Sequence, residues 1–140
     1  MQDIEDYISA LTTKYPCIKS IWLYGSRANN CFNDRSDWDL FVFADNDILM
    51  FLKSDMSFYN ESVDLCIVYN GDNWEKPYPD IKDGQETIKR SSLTEFEWEF
   101  KSDKEATYKE KKYEDSDNWY KSKGNFREKE VKSIKIWPMD

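Results

Sequence analysis

The first half of the chain shows two hydrophobic periods that predict regular structure. Ile4, Tyr7, Ile8 and Leu11 follow the i, i+3, i+4, i+7 spacing of an amphipathic helix, with Asp3 in its first turn. Pro16 should end that helix, because proline removes a backbone donor and clashes with the preceding turn. Further along, Asp45 or Asn46 can cap a short helix that carries Ile48, Leu49, Phe51 and Leu52.

Three apolar runs in the same half predict strands. They are 18–24 (IKSIWLY), 38–43 (WDLFVF) and 63–69 (VDLCIVY), and each is followed by a turn or a capping residue. The second run is almost wholly apolar, so we expect it to be central in a sheet. The order helix, strand, strand, helix, strand predicts an α+β fold in which helices flank a small mixed sheet.

The second half is rich in charge and poor in aliphatic residues. The run 93–101 (LTEFEWEFK) alternates, which predicts a half-buried strand with Phe96, Trp98 and Phe100 on one face. Residues 106–113 and 131–137 alternate more weakly, and a helix is predicted around 85–89. We therefore expect one domain over 1–140, with a core at about 1–70 and a β-rich C-terminal extension at about 80–140.

The aromatic residues of the second half allow two interpretations. Phe96, Trp98, Phe100, Trp119, Tyr120 and Trp137 can cover the sheet in place of missing aliphatic residues. They can instead form a partly exposed surface for an acceptor protein, because Trp and Tyr dominate interface hot spots. We favour the covering role.

Composition narrows the function classes. The chain has 20 Lys and Arg against 28 Asp and Glu, a formal net charge of −8 and no histidine. An acidic protein lacks the basic surface that binds a nucleic-acid backbone, so nucleic-acid binding is an unfavoured function. Without histidine, Ser-His-Asp catalysis, His-ligated zinc and imidazole bases are excluded, so any catalysis must rest on carboxylates, backbone amides and cations.

Features of location indicate a reduced, cytoplasmic protein that does not enter a membrane. The first 16 residues lack the basic region and apolar core of a signal peptide, and no apolar run approaches the about 20 residues of a membrane helix. The three cysteines (Cys17, Cys31 and Cys66) are an odd number without close spacing. Because Cys17 and Cys66 lie in apolar runs, we expect both to be buried free thiols.

The candidate chemistry lies around the turn between the first two strands. Gly25 and Ser26 end one strand, ten residues follow, and Asp37-Trp38-Asp39 opens the next. Asp37 and Asp39 should project from the same side of the strand, because successive side chains alternate. An isolated Asp-x-Asp is more often a solvated acidic turn. Here a glycine that admits a ligand close to the backbone, and turn amides that suit an anion, favour a nucleoside triphosphate carried with Mg²⁺.

Other charged residues could complete this site. Asp64 lies in an otherwise apolar strand, where a carboxylate is costly unless it is paired, metal-bound or still in water at the strand end. Beside Asp37 and Asp39 it would complete a two-metal constellation. Arg27 and Arg35 could reach phosphate oxygens. Arg27 could equally be a solvated surface side chain, and for Arg35 the solvated alternative is favoured.

These residues resemble a known family. Gly25-Ser26-Arg27-Ala28 before Ser36-Asp37-Trp38-Asp39-Leu40, with a later strand aspartate at Asp64, resembles the nucleotidyltransferases of the DNA polymerase beta superfamily. The resemblance is greatest to minimal nucleotidyltransferases and covers residues 1–70. It implies transfer of a nucleoside monophosphate from a nucleoside triphosphate to a hydroxyl, with two magnesium ions.

The resemblance also implies roles for individual residues. Asp37 and Asp39 would bind both magnesium ions, and Asp64 would bind one and help to deprotonate the acceptor. Gly25 and Ser26 would hold the triphosphate. Arg27 is a further nucleotide-binding candidate because its charge is near this turn in the sequence, not because of the resemblance. The family's helical tail, which often packs against a HEPN-type partner, is not evident in the second half.

Function is thereby narrowed to a short set of hypotheses. The favoured one is Mg²⁺-dependent transfer of a nucleoside monophosphate, AMP from ATP being the expected pair, to a protein or small-molecule hydroxyl. An antitoxin-like modifier of a HEPN-type toxin is the nearest precedent. The alternatives are a binding or neutralising module with little turnover and, less favoured, an Asp-x-Asp glycosyltransferase, which is usually larger and has no need of Gly-Ser.

Overall fold

The elements predicted for the first half are present. In a computed structural model, which describes residues 4–30, 36–113 and 126–139, they are α1 (Ile4–Lys14), β1 (Ser20–Tyr24), β2 (Trp38–Phe43), α2 (Asn46–Lys53) and β3 (Val63–Tyr69). The structure therefore confirms the two helices and three strands that the apolar patterns predict. Neither helix in this described part is long and apolar enough to cross a membrane.

The remaining strands are short, apart from the last two. They are β4 (Asn73–Glu75), β5 (Asp80–Lys82), β6 (Gln85–Thr87), β7 (Arg90–Ser92), β8 (Glu99–Phe100), β9 (Glu105–Tyr113) and β10 (Phe126–Trp137), with 3₁₀ turns at Met56–Phe58 and Leu93–Phe96. Eight of the ten strands in the described residues, including β1, β2 and β3, form one mixed sheet in the order β7-β4-β3-β2-β1-β10-β9-β8, while β5 and β6 pair as a separate hairpin. The fold is thus a mixed α/β fold built on one large sheet.

The second half of the chain extends this sheet at both edges. The three strands predicted from the first half are adjacent, with β2 antiparallel to β1 and parallel to β3. Beyond β1, the long strand β10 pairs antiparallel with β1 and then with β9. Beyond β3, the sheet continues through β4 to β7. Strands from both halves of the sequence therefore share one hydrogen-bonded network.

The two faces of the central strands bury different kinds of side chain. Both helices contribute to the cluster on the helix-covered face, whose central members are Ile8, Leu11, Ile21, Leu23, Leu40, Val42, Ile48, Leu49, Leu52, Leu65 and Ile67. The aromatic face holds Trp22, Phe41, Cys66, Val68, Trp74, Leu93 and Ala106, with Tyr24, Phe43, Phe96 and Trp98 partly buried against them. Strand alternation explains this division, because neighbours in each strand point to opposite faces.

The strand predicted over 93–101 is wrong. Residues 93–96 form a 3₁₀ turn, and Glu97 adopts a left-handed conformation with φ of 53° before the two-residue β8. Ser91 Oγ donates to Glu95 Oε2 at 2.6 Å, and Trp98 N donates to Leu93 O at 3.2 Å. These local bonds compete with a strand ladder, as short polar side chains often do.

The helix predicted around 85–89 is also wrong. Asp83 and Gly84 both have positive φ, 54° and 77°, and Lys82 is paired with Gln85 across them. This is the geometry of a two-residue hairpin turn, for which Asp-Gly is a strong sequence signal. The turn sets residues 85–87 as β6 rather than as a helix.

Smaller predictions had mixed outcomes. Cys66 is buried as expected, but Cys17 is exposed, because it lies in the turn between α1 and β1. Asp45 occupies the N-cap position of α2 without a side-chain capping bond, and its carboxylate instead pairs with Lys19 at 3.1 Å. Cys31, Arg35, Trp119 and Tyr120 lie outside the described residues.

Candidate active site

Two of the three predicted aspartates lie opposite each other on neighbouring strands. In the parallel register of β2 and β3, Asp39 is the partner of Asp64. Alternation places both on the same face as Phe41 and Cys66, which is the aromatic face. Asp37 precedes β2 and is exposed. The fold therefore brings Asp39 and Asp64 together and leaves Asp37 beside them at the edge.

Gly25 lies directly against the carboxylate of Asp39. Its φ is +76°, and a Cβ added there would lie 2.1 Å from Asp39 Oδ2. Both observations require glycine, since a side chain would be strained by the backbone and would overlap the carboxylate. The Gly-Ser signal in the sequence thus reflects the close approach of the first turn to the second strand's aspartate.

The turn after β1 is held by the C-terminal strands. Gly25 N donates to Tyr108 Oη at 3.0 Å, and Asn29 bonds both the carbonyl and the amide of Lys132 at 3.0 Å. Residues 25–30 form turns, with Ala28 N donating to Gly25 O. Sequence reasoning missed Tyr108 and Asn29, whose roles depend on contacts more than 80 residues distant in the chain.

Like charges gather around Asp39. Burial, followed by repulsion from Asp64 and Asp37, raises the pKa of Asp39 to about 7, while attraction to Lys76 opposes the rise. Near neutral pH the metal-free protein therefore holds Asp39 as a mixture of acid and carboxylate. A divalent cation bound there would favour the carboxylate and remove the repulsion.

Lys76 is the functional candidate that sequence reasoning missed. It follows β4, and its Nζ lies 2.7 Å from Asp64 Oδ1. Its side chain is 16% exposed against 31% for Asp64, so the ammonium is the more buried partner of this ion pair. No sequence motif marks Lys76, because the pairing arises only when β4 adds to β3.

Asp64 lines two cavities. The first has a volume of about 650 Å³ and is bounded by the Gly25-Ser26 turn, Asp39, Asp64, the aromatic side chains Tyr24, Phe41, Phe96 and Tyr108, and Glu95, Lys109 and Glu110. The second, of about 970 Å³, includes Asp37, Asp64 and Lys76, with Tyr59 and Tyr78 farther along. The first volume falls in the range of small-molecule sites, and Asp64 stands between it and the second.

Arg27 is engaged away from the aspartates. Its guanidinium carbon lies 4.0 Å from the centroid of the Trp38 ring, and its Nε donates to Ser36 O at 3.1 Å. Trp38 packs with the helix-covered face, opposite Asp39 in the alternation of β2. The side chain thus supports the entry to β2, and a phosphate contact by Arg27 stays a prediction.

The residues fit a magnesium site made of protein and phosphate oxygens. Asp39 and Asp64 offer hard carboxylate oxygens, and the missing Cβ of Gly25 leaves room at Asp39. Within residues 4–30, 36–113 and 126–139, no three His, Cys, Asp or Glu side chains are close enough to hold a metal ion together. Two carboxylates plus substrate phosphates suffice for Mg²⁺, so the donor set suits an ion that arrives with a nucleotide.

Comparison with known proteins agrees with this geometry. The sequence model of the family described as "Polymerase beta, Nucleotidyltransferase" matches residues 6–92, which span α1 to β7 and include the Gly-Ser turn and all three aspartates. No curated protein and no solved structure matches the chain. The match covers more than half of the chain, and the chain belongs to the polymerase beta nucleotidyltransferase family.

Proposed function

We propose that this protein is a Mg²⁺-dependent nucleotidyltransferase that moves a nucleoside monophosphate, AMP from ATP, onto a hydroxyl group. The observation that carries the proposal is the Asp39–Asp64 pair, set in register beneath Gly25 at the wall of the 650 Å³ cavity. Asp37, Asp39 and Asp64 would hold two magnesium ions. When bound, the ions would neutralise the triphosphate and stabilise charge that develops at phosphorus.

The chain's own groups divide the remaining work. The Gly25-Ser26 turn would orient the β- and γ-phosphates, which leave as pyrophosphate. The acceptor oxygen forms a bond to the α-phosphorus as the bond between that phosphorus and the bridging oxygen breaks, and a carboxylate oxygen of Asp64 takes the hydroxyl proton. Attack in line with the leaving group requires the acceptor opposite the pyrophosphate. The second cavity shares Asp64 and would provide that approach.

Aromatic side chains of the first cavity suit a nucleobase. Phe41, Phe96, Tyr24 and Tyr108 line it beside the aspartates, and the partly exposed rings of Tyr24 and Phe96 are the ones a base could contact. Tyr24 and Phe41 are already stacked, with ring centroids 4.1 Å apart. Stacking tolerates any base, so selection of ATP would depend on polar groups such as Glu95 at the cavity wall.

The acceptor belongs to the same proposal. Exposed Met56 and Tyr59 lie beside Tyr78 in the second cavity, which suits a hydroxyl carried on a protein segment as well as a small molecule. Resemblance to minimal nucleotidyltransferases makes an antitoxin-like modification of a HEPN-type toxin the first protein acceptor to test.

The direct experiment measures transfer of the labelled α-phosphate from nucleotide to acceptor. The protein is incubated with Mg²⁺ and each of the four α-labelled nucleoside triphosphates, with and without candidate acceptors, while pyrophosphate release and labelled product are measured. We expect ATP to give the fastest release and a phosphoester on the acceptor. Asp37→Asn, Asp39→Asn and Asp64→Asn should each remove the activity.

Asp47→Asn is the matched control, because it makes the same change on an exposed residue of α2, on the helix-covered side. It should keep wild-type activity. Nucleotide binding without pyrophosphate release, unchanged by the aspartate variants, would support a neutralising module instead of a transferase.

A further inference from the structure

We infer that Lys76 is an internal counter-ion that competes with divalent metal for Asp64 and so sets the metal affinity of the site. The inference rests on the proposed metal-dependent function, since it concerns what occupies Asp64 before metal binds. Lys76 is a positioning residue here, acting through the carboxylate it pairs with.

The position of Lys76 supports competition rather than a surface ion pair. The ammonium lies 2.7 Å from Asp64 Oδ1, and the Lys76 side chain as a whole is 16% exposed. Its backbone is fixed by the sheet edge, where Lys76 N donates to Lys89 O at 2.9 Å. The charge is therefore held at the carboxylate by short, ordered contacts and is not free to diffuse away as a solvated cation would.

Repulsion between the aspartates explains why a positive charge at Lys76 would stabilise the metal-free site. Asp39 and Asp64 are paired in register with Asp37 nearby, so the metal-free site concentrates negative charge on one face. Lys76 offsets part of that repulsion. A metal that binds Asp64 must displace the ammonium or accept its repulsion, and either cost weakens metal binding.

The neighbouring residue Glu75 also forms ion pairs, but with basic residues rather than with a predicted metal ligand. Glu75 is buried, and its partners are Lys53 of α2 and Arg90 of β7. Lys76 instead reaches Asp64 and lines the second cavity. Two neighbouring residues thus form ion pairs with different surroundings, and only the one at Lys76 involves a predicted metal ligand.

The test is a titration with Mn²⁺ alone, followed by the paramagnetic resonance signal of the free ion. Lys76→Met should bind Mn²⁺ about tenfold more tightly than wild type, equivalent to about 1.4 kcal/mol. Lys76→Arg keeps the charge and should bind as wild type does. Lys89→Met, which removes an equal charge from the same cavity, should leave the dissociation constant unchanged.

A second measurement uses the unaltered protein. Acetylation of lysines by an N-hydroxysuccinimide ester, mapped by mass spectrometry, should be faster at Lys76 when Mn²⁺ is added, with Lys53 unchanged. If Lys76 is only structural, Lys76→Met should be less stable than wild type. It should then bind Mn²⁺ no more tightly than wild type, or acetylation of Lys76 should not change when Mn²⁺ is added. Either result would overturn the inference.

Failure of the proposed function has a different signature. Asp39→Asn should weaken Mn²⁺ binding in the wild-type and in the Lys76→Met background. If wild type and Lys76→Met both lack a Mn²⁺ site that depends on Asp39, the metal-dependent function itself is contradicted. If that site is present and Lys76→Met does not tighten it, only the counter-ion inference is lost.

Discussion

The two faces of strands β1, β2 and β3 are formed by alternating residues of the same strands, yet the two faces have different roles. On the helix-covered face, Leu40 and Val42 of β2 and Ile67 of β3 are fully buried among aliphatic side chains of the helices. On the aromatic face, Phe41 and Cys66 continue into a row that ends at Asp39 and Asp64. One face stabilises the sheet, and the other carries the candidate site.

The difference arises from what covers each face. Helices supply regular aliphatic stripes that fill space completely. The aromatic face is covered by the short segment 93–100 and by β9, which contribute rings such as Phe96, Trp98 and Tyr108. These large rigid rings meet both edge to face and stacked, and a cavity remains beside the carboxylates.

Loss of the site-face carboxylate should have the largest effect on activity. If the proposed function is correct, Asp39→Asn should reduce nucleotidyl transfer by about three orders of magnitude, or about 4 kcal/mol in transition-state stabilisation, because the proposed metal ligand is lost. The fold should remain intact, since the substitution also removes like-charge repulsion. Steady-state pyrophosphate release and circular dichroism check the two halves of this expectation.

The same substitution has a pH signature in the metal-free protein. The pKa of Asp39 is raised to about 7 in the folded state, so the folded protein binds its proton more tightly than the unfolded chain does. Between about pH 4 and 7, this group's contribution to stability falls as pH rises. The stability of Asp39→Asn relative to wild type should therefore increase from pH 5 to pH 8. A difference that is flat across this range would contradict the charge cluster.

Trp98 tests how strongly the aromatic cover stabilises the fold. Its ring contacts Trp22, Phe41 and Tyr108 with centroid separations of 5.9, 5.5 and 6.0 Å, but the residue is only partly buried. We expect Trp98→Ala to lower the free energy of unfolding by about 3 kcal/mol, at the lower end for a large aromatic residue. Denaturant unfolding measures it.

Two further variants, each compared with Trp98→Ala, separate the contributions of the two faces to stability. Leu11→Ala removes a fully buried side chain from the helix-covered face and should cost about 2–5 kcal/mol while nucleotide affinity is kept. Trp98→Phe keeps a ring and removes an indole N–H that is buried without a protein acceptor, so its stability should stay near wild type. If Trp98→Ala unfolds like wild type, the covering role is wrong and the surface role gains support.

The sequence could predict the central elements because their patterns are local. The stripe from Ile4 to Leu11 and the apolar runs of β1, β2 and β3 each contain enough residues to distinguish helix from strand. The same alternation predicted that Asp37 and Asp39 share a side. The relation between Asp39 and Asp64 needed the parallel register of two strands, which no local pattern contains.

Other features were misread for identifiable physical reasons. Alternation over 93–101 imitated a strand, whereas Ser91 and the left-handed Glu97 produce a turn that brings Phe96 and Trp98 to the same face. Asp83-Gly84 was an available hairpin signal. Tyr108 and Lys76 carried no signal, because their roles come from strands that add at opposite edges of the sheet.

Gly25→Ala should destabilise the fold less than Trp98→Ala does, but its added side chain also acts on the site. Gly25→Ala forces a side chain into a backbone with φ of +76° and against Asp39 Oδ2. We expect a stability loss of about 1–2 kcal/mol for the left-handed conformation, together with a large fall in transfer as the carboxylate is displaced. Gly84→Ala is the control, since its φ is also positive but nothing lies within 4 Å of the added Cβ. It should lose stability alone, and equal activity losses in both variants would contradict the contact at Asp39.

The smallest expected effect belongs to Arg27, which packs on Trp38 at the start of β2. Its stacking on Trp38 and its bond to Ser36 O support the start of β2 from the helix-covered side. Arg27→Ala should therefore lower stability by about 1 kcal/mol, within the range for a cation–π contact between partly buried side chains, and leave the nucleotide KM within about twofold. Arg27→Lys keeps the charge but loses the planar stacking, so it should resemble Arg27→Ala in stability. A severalfold rise in KM for Arg27→Ala, restored by Arg27→Lys, would show instead that the charge contacts phosphate, as the sequence predicts.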